Sequence, residues 1–250
     1  MEWEAPAIVL AVRPFNEADA IAAVFTEAHG VYRGLVRGGA SRRLAAVWQA
    51  GNLVQARWAA RLSEQLGGLT GELVHAAAAE AMEDALTLAV LSAACAIADG
   101  GLPERQAHPR IFSGLLSLIA RLNAADGMLL ADYTRWELAL LADLGFGLDL
   151  TACAVTGATA GLAFVSPRSG RAVSASGAGD WAAKLLPLPG FLTGGNLLDA
   201  EAFQAALRLT GHFLARDAFG HRHLPLPQAR LRLSDRVDAM AAAQASPTPD

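Results

Sequence analysis

The sequence predicts an α+β chain of more than one domain, with a small N-terminal β-barrel followed by an α-helical domain that one β-hairpin interrupts. Two changes of texture carry this reading. Apolar residues recur with period two from Ala7 to about His75 and at three- and four-residue spacing after residue 76. At 153–177, CAVTGATAGLAFVSPRSGRAVSASG returns briefly to strand-like runs. The expected boundaries are 1–76 for the barrel, 77–240 for the helical domain with its hairpin at about 153–177, and 241–250 for a disordered tail, AAAQASPTPD.

In chain order, AIVLAVRP, AIAAVFTEAHG, VYRGLVRGG, NLVQARWAARL and GLTGELVH read as five short strands separated by turn residues. Five strands in so short a stretch fit a barrel of the OB or SH3-like kind. The segments 77–99, 110–123 and 129–144 read as packed helices, with Gly100-Gly101, Pro103 and Gly127 as breaks and Gly145 as a C-cap. LAFV and RAVS flank a PRSG turn. Helix resumes at about Asp199–Arg216 behind an acidic N-terminal signal.

Of the 250 residues 53% are apolar, enough for a substantial core, and the formal net charge is −4. The longest weakly charged stretch, ALTLAVLSAACAIA at 85–98, falls short of the ~20 apolar residues that cross a bilayer, so it reads as a buried helix. The opening MEWEAPAIVL is acidic where a secretory signal would be basic, and a cytoplasmic protein is expected. Neither of the two cysteines, Cys95 and Cys153, calls for a disulfide. Nineteen of the twenty basic residues are arginine, a bias that a GC-rich genome accounts for as well as function does.

Against that acidic background, VRGGASRR at 36–43 is an anomaly. Between Glu27 and Glu64 the chain holds Arg33, Arg37, Arg42, Arg43, Arg57 and Arg61 and not one carboxylate. Strand alternation puts Arg33, Leu35 and Arg37 on one face of VYRGLVR and Tyr32, Gly34 and Val36 on the other. In NLVQARWAARL it groups Gln55, Arg57 and Arg61 opposite Val54, Trp58 and Leu62. Paired arginines then stand about 13 Å apart along each strand. The connection 38–52 adds Arg42 and Arg43 on what reads as a mobile tether hinged at Gly38 and Gly39. A guanidinium binds phosphate oxygens bidentately and stays charged at any working pH, so the six arginines point to a nucleic-acid backbone. Tyr32 and Trp58 fall on core faces, which leaves Trp48 as the candidate for base stacking.

No enzyme is expected. GxxxxGK[ST], GxSxG and HExxH are absent, Ser166 and Ser169 lie in a hairpin turn beside Arg168 and Arg171, and Glu83, Asp84 and Asp99 have no partner histidine. Residues 77–250 hold 13 basic and 17 acidic residues and offer no second broad DNA surface. Two readings other than a dedicated DNA-binding protein therefore stay open: an adaptor that docks proteins through the helical domain with weak nonspecific DNA affinity, and an RNA-binding or translation-type OB protein.

AIVLAVRPFNEADAIAAVFTEAHGVYRGLVRGGASRR, GNLVQARW, WELALLADLGFGLDLTACAVTG and LAFVSPRSGRAVS together resemble the bacterial RecO recombination-mediator family, in order and over about two-thirds of the chain. The resemblance implies an N-terminal OB-fold, a helical domain and a zinc-ribbon-like hairpin insertion. It also implies a protein that binds single- and double-stranded DNA and anneals complementary strands. Such a protein engages the C-terminal tail of single-stranded DNA-binding protein and acts with RecR to load RecA. Arg37 and Arg43 match the family's basic positions; Arg33, Arg42, Arg57 and Arg61 rest on strand geometry alone.

The zinc site is where this chain departs from the family pattern of two CxxC pairs. Cys153 survives, while Thr156, Ser174 and Gly177 stand at the other positions, and His212, His221 and His223 are distant in sequence. No metal and no cofactor are expected, the hairpin being held by Leu162, Phe164 and Val173. The family's groove for the partner tail maps to YTRWELALL, with Arg135 as the basic residue and Trp136 and Leu138 beside it. The alternative there is a core Trp136 and an Arg135 that pairs with Asp132.

Overall fold

A computed structural model describes residues 1–62, 65–124 and 127–245. It divides into two compact units, Met1–Asn123 and Ala124–Asp250.

The first unit is built on five strands, β1 (Glu2–Pro14), β2 (Ala20–Thr26), β3 (Gly30–Val36), β4 (Leu53–Ala59) and β5 (Gly67–His75), closed in the order β1-β2-β3-β5-β4. β1 is long enough to pair with both β2 and β4, and a bulge between Val9 and Ala11 bends it from one partner to the other. Closure between β3 and β5 is parallel and rests on two residue pairs, Gly34 with Gly67 and Leu35 with Gly68. Alternation supplies the interior: Val9, Val24, Tyr32, Val36, Val54, Trp58 and Leu69 pack inside. Trp58 also donates its indole N–H to the Arg33 carbonyl at 3.1 Å. A Cβ on Gly67 would lie 2.4 Å from the Trp58 ring, which explains that glycine.

Three helices follow the barrel in this unit: α2 (Ala77–Ala81), α3 (Ala85–Gly101) and α4 (Pro109–Ala120). The break between α2 and α3 has a local cause. Asp84 caps α3 by accepting from the Thr87 N–H at 2.7 Å and from its hydroxyl at 2.8 Å. Ile8, Leu10, Phe25 and Val31 lie on the outer face of the barrel yet are buried. Phe25 meets Phe112 of α4 edge to face. The run AIVL in β1 is therefore apolar without alternation because both its faces are covered.

The segment 38–52, expected as a tether, contains a helix, α1 (Arg42–Val47), capped by Ser41. Gly38 takes a positive φ of 67° and donates to the Asp19 carboxylate at 2.8 Å, while Gly39 is tucked against Ala20. Those bonds turn the expected glycine hinge into a tight, anchored turn. At the far end, buried Asn52 donates to the Ala46 and Val47 carbonyls at 3.0 Å and accepts from the Ala78 N–H at 3.0 Å. One side chain thus satisfies the carbonyl end of α1 and the amide end of α2.

The second unit holds α5 (Leu129–Asp143), a three-stranded sheet in the order β7-β6-β8 formed by β6 (Leu162–Val165), β7 (Ala172–Ser174) and β8 (Leu186–Pro187), the short α6 (Ala175–Ala178), then α7 (Ala200–Phe213) and α8 (Gln228–Ala245). β6 and β7 are the expected hairpin, and Leu162 and Phe164 pack on a small core of Cys153, Val173 and Ala178. Asp199 caps α7 through the Ala202 N–H at 2.7 Å. α7 passes into a π-helical turn, Leu214–Phe219. α8 runs to Ala245 through the start of the expected tail, and residues 246–250 of that tail lie outside the described residues.

At the centre of this unit Glu137 and Arg230 form an ion pair, 0% and 1% exposed, with Nε to Oε1 at 2.6 Å and NH2 to Oε2 at 3.1 Å. The Tyr133 hydroxyl donates to the same carboxylate at 2.6 Å, and Arg230 also donates to the Leu207 carbonyl at 2.9 Å. Burial, reinforced by the Glu137 charge, holds the Tyr133 phenol protonated well above its usual range. Among the described residues no helix is long and apolar enough to cross a membrane.

Candidate nucleic-acid interface

The six arginines that the sequence singles out do not behave alike. Arg33 projects outward from β3, as alternation predicts, and is paired with Asp99 and Glu104. Arg57 projects from β4 and is paired with Glu2, its Nε donating at 2.7 Å. Both acids of Arg33 come from beyond residue 76 and Glu2 from the first strand, so the acid-free stretch in sequence is not acid-free in space. Arg37, Arg42, Arg43 and Arg61 are exposed and form no ion pair within 4.0 Å among the described residues. They cluster by connectivity: Arg37 follows the end of β3, Arg42 and Arg43 open α1, and Arg61 follows β4.

Arg37 lies near one carboxylate, that of Asp19. The Gly38 N–H, then the Asn16 side chain and the Arg37 charge, hold that carboxyl below its usual range. Asp19 thereby ties the turn that presents Arg37.

Sequence reasoning misplaces two side chains. Trp48, the expected stacking residue, is 3% exposed and plugs the barrel interior. Leu62, expected on the core face, is 63% exposed, because β4 ends at Ala59 and alternation no longer applies beyond it. Sequence reasoning also misses Arg105, whose guanidinium lies 5.4 Å from the Tyr32 ring and 5.9 Å from that of Trp58. The left-handed φ of 61° at Arg105 has no sequence signal in a non-glycine residue.

In the second unit, Arg135 pairs with Asp132 at 3.2 Å, donates to the Phe191 carbonyl at 3.2 Å and lies 5.7 Å from the Phe191 ring. Its side chain remains 42% exposed. Trp136 is buried beside Tyr133, and Leu138 is half-buried. Only Arg135 and Leu138 of the expected three reach the surface.

The positions Cys153, Thr156, Ser174 and Gly177 converge on one point. The Cys153 sulfur is 2% exposed and accepts from the Val155, Thr156 and Ser174 N–H groups at 3.4, 3.4 and 3.2 Å, and from the Ser174 hydroxyl at 3.3 Å. A Cβ on Gly177 would lie 3.0 Å from that sulfur. The Ser174 hydroxyl and amide, with the Thr156 side, bring the thiol down to about 6 against the opposing cost of burial. Among the described residues no three His, Cys, Asp or Glu side chains gather as a metal site. His212 instead bonds the Pro167 carbonyl at 3.0 Å, His221 packs on Phe146, and His223 takes a left-handed turn.

A closed five-stranded barrel with four exposed arginines that form no ion pair among the described residues, in a chain that continues into helices and a small sheet, defines a modular α+β protein with a basic surface segment on its first unit. Residues 1–77 match the family model "Recombination protein O N terminal" and residues 82–224 match "Recombination protein O C terminal". Curated proteins named DNA repair protein RecO are 56% identical in Granulibacter bethesdensis, over 96% of this chain and 97% of that one, and 57% identical in Acidiphilium cryptum, over 95% and 96%. The chain belongs to the RecO family of DNA repair proteins.

Proposed function

We propose that this chain is a DNA-binding recombination mediator that anneals complementary strands and, with RecR, helps RecA load onto DNA coated by single-stranded DNA-binding protein. It works without catalysis, and the barrel acts as an OB-fold, a reading its strand order supports. The observation that carries the proposal is the set of four exposed arginines, Arg37, Arg42, Arg43 and Arg61, without ion-pair partners among the described residues of a RecO-family chain. Arg33 and Arg57 join them only when phosphate displaces Asp99, Glu104 or Glu2, so they contribute less. Neutralising phosphates lowers the repulsion between two strands, and with few exposed aromatics the bases stay free to pair.

A salt series tests this. Wild-type chain and a variant with Arg37, Arg42 and Arg43 changed to alanine are titrated with a fluorescent single-stranded oligonucleotide. Three lost phosphate contacts make the slope of log K against log salt shallower by about 2. Unchanged affinity and slope would remove the arginine interface and leave protein docking through the second unit as the main activity. For that docking, Arg135 and Leu138 are proposed as the rim that takes the acidic tail of single-stranded DNA-binding protein, with Trp136 supporting from the core. Arg135→Ala should weaken binding of such a peptide about tenfold by anisotropy and leave oligonucleotide binding intact.

A further inference from the structure

Beside the arginines, the first unit has a cleft of about 520 Å³ lined by residues that include Leu35, Arg37, Leu44, Trp48, Gly68 and Thr70. It lies where β3 and β5 join through two residue pairs and then diverge, with α1 alongside. Its size and character are those of a small-molecule site: mostly apolar walls, with Arg37 and Thr70 as polar residues of the lining. Leu66, also in the lining, is 50% exposed.

The glycines of β5 separate what the barrel needs from what it does not. Gly67 is imposed by Trp58, and a Cβ on Gly71 would lie 3.2 Å from the Trp48 ring. Gly68 has neither a positive φ nor a crowded Cβ position, the nearest atom being the Ala59 carbonyl oxygen at 4.0 Å. Packing does not require a glycine there, and its bare backbone leaves the mouth of the cleft open.

We propose that this cleft captures one unstacked base of a bound single-stranded nucleic acid, while the arginines around it hold the flanking phosphates. Charge selects the occupant. Arg37 is part of the wall, Leu44 follows Arg42 and Arg43 directly, and Ala59, also in the wall, is two residues from Arg61. An apolar ligand without phosphates gains nothing from four arginines that form no ion pair among the described residues, whereas a nucleotide strand supplies a flat apolar ring and the anions beside it. A paired duplex keeps its bases stacked and does not enter. The inference rests on the arginine interface proposed above.

Two oligonucleotides test it with the full chain: one carrying 2-aminopurine at a central position, and one of the same length with every base removed. Wild-type chain should change the 2-aminopurine emission and bind the abasic strand at least tenfold more weakly than the base-bearing one. Gly68→Leu, whose Cβ would meet no atom nearer than the Ala59 carbonyl oxygen at 4.0 Å, should abolish the emission change and lower single-strand affinity about tenfold, with the salt slope and duplex binding unchanged. Equal binding of abasic and base-bearing strands by the wild type overturns the cleft, whether or not the leucine variant folds. If the alanine variant of Arg37, Arg42 and Arg43 is still weakened in that case, the arginine interface stands without it. If that variant too is unaffected, both fall.

Discussion

At the scale of single residues, three side chains do work that their neighbours in sequence do not announce. Asn52 serves two helix ends at once, and Asn52→Ala removes its bonds to two part-buried carbonyls and a buried N–H. A loss of about 1–3 kcal/mol in urea unfolding is expected. Cys153 and Cys95 are both buried thiols with opposite tendencies. Burial, with the Asp99 charge, pushes Cys95 up to about 12, whereas the Ser174 and Thr156 donors bring Cys153 down to about 6. Thiolate absorbance at 240 nm should therefore show one group titrating near pH 6, absent in Cys153→Ser and moved upward in Ser174→Ala. Because the folded state favours the thiolate, this cluster stabilises the fold fully above the unfolded thiol's pKa near 9. The contribution is lost as pH falls through about 6. The family's two CxxC pairs grouped these four positions, but the donors that take up the sulfur are mostly backbone amides, which no residue type encodes.

At the scale of elements, α5 and α8 are joined by the Glu137–Arg230 pair, with α7 contributing the Leu207 carbonyl and the Thr210 hydroxyl. Removing one partner strands the other charge in the core. Glu137→Ala should cost about 3–5 kcal/mol, read as a lower urea midpoint, while Glu137→Leu combined with Arg230→Met should recover most of it. The strands were legible because period-two alternation survives wherever one face is solvated, as in β4 and the start of β5. It failed in two predictable ways: past the end of β4, where Leu62 turns outward, and at 42–47, where six residues are too short for helical periodicity to register. α8 was harder to see, since a sequence as polar as QARLRLSDRVDAM shows its apolar side only through a few residues, and its largest buried side chain is an arginine.

At the scale of the whole chain, the strand-rich beginning and the helices up to about residue 144 followed from periodicity, the helical order after residue 180 mainly from the family resemblance, and the site from charge, though only in part. Counting acids along the sequence gave six arginines without a nearby acid; in space four form no ion pair among the described residues, because Glu2, Asp99 and Glu104 arrive from segments the count did not span. A functional difference follows within the set. Arg61→Ala should weaken single-strand binding and lower the salt slope by about 0.7, while Arg57→Ala should change the slope by less, since its charge is already matched by Glu2.

The two-pair junction of β3 and β5 gives the barrel a mechanical character. Every other seam of the ring is stitched along most of its strands, so a fluctuation that opens the ring starts here, and the amides of Gly67 and Gly68 should exchange with deuterium sooner than those of β1 or β2. A strand lying across that seam would act as its clasp, turning occupancy into a measurable slowing of exchange at the barrel's weakest join.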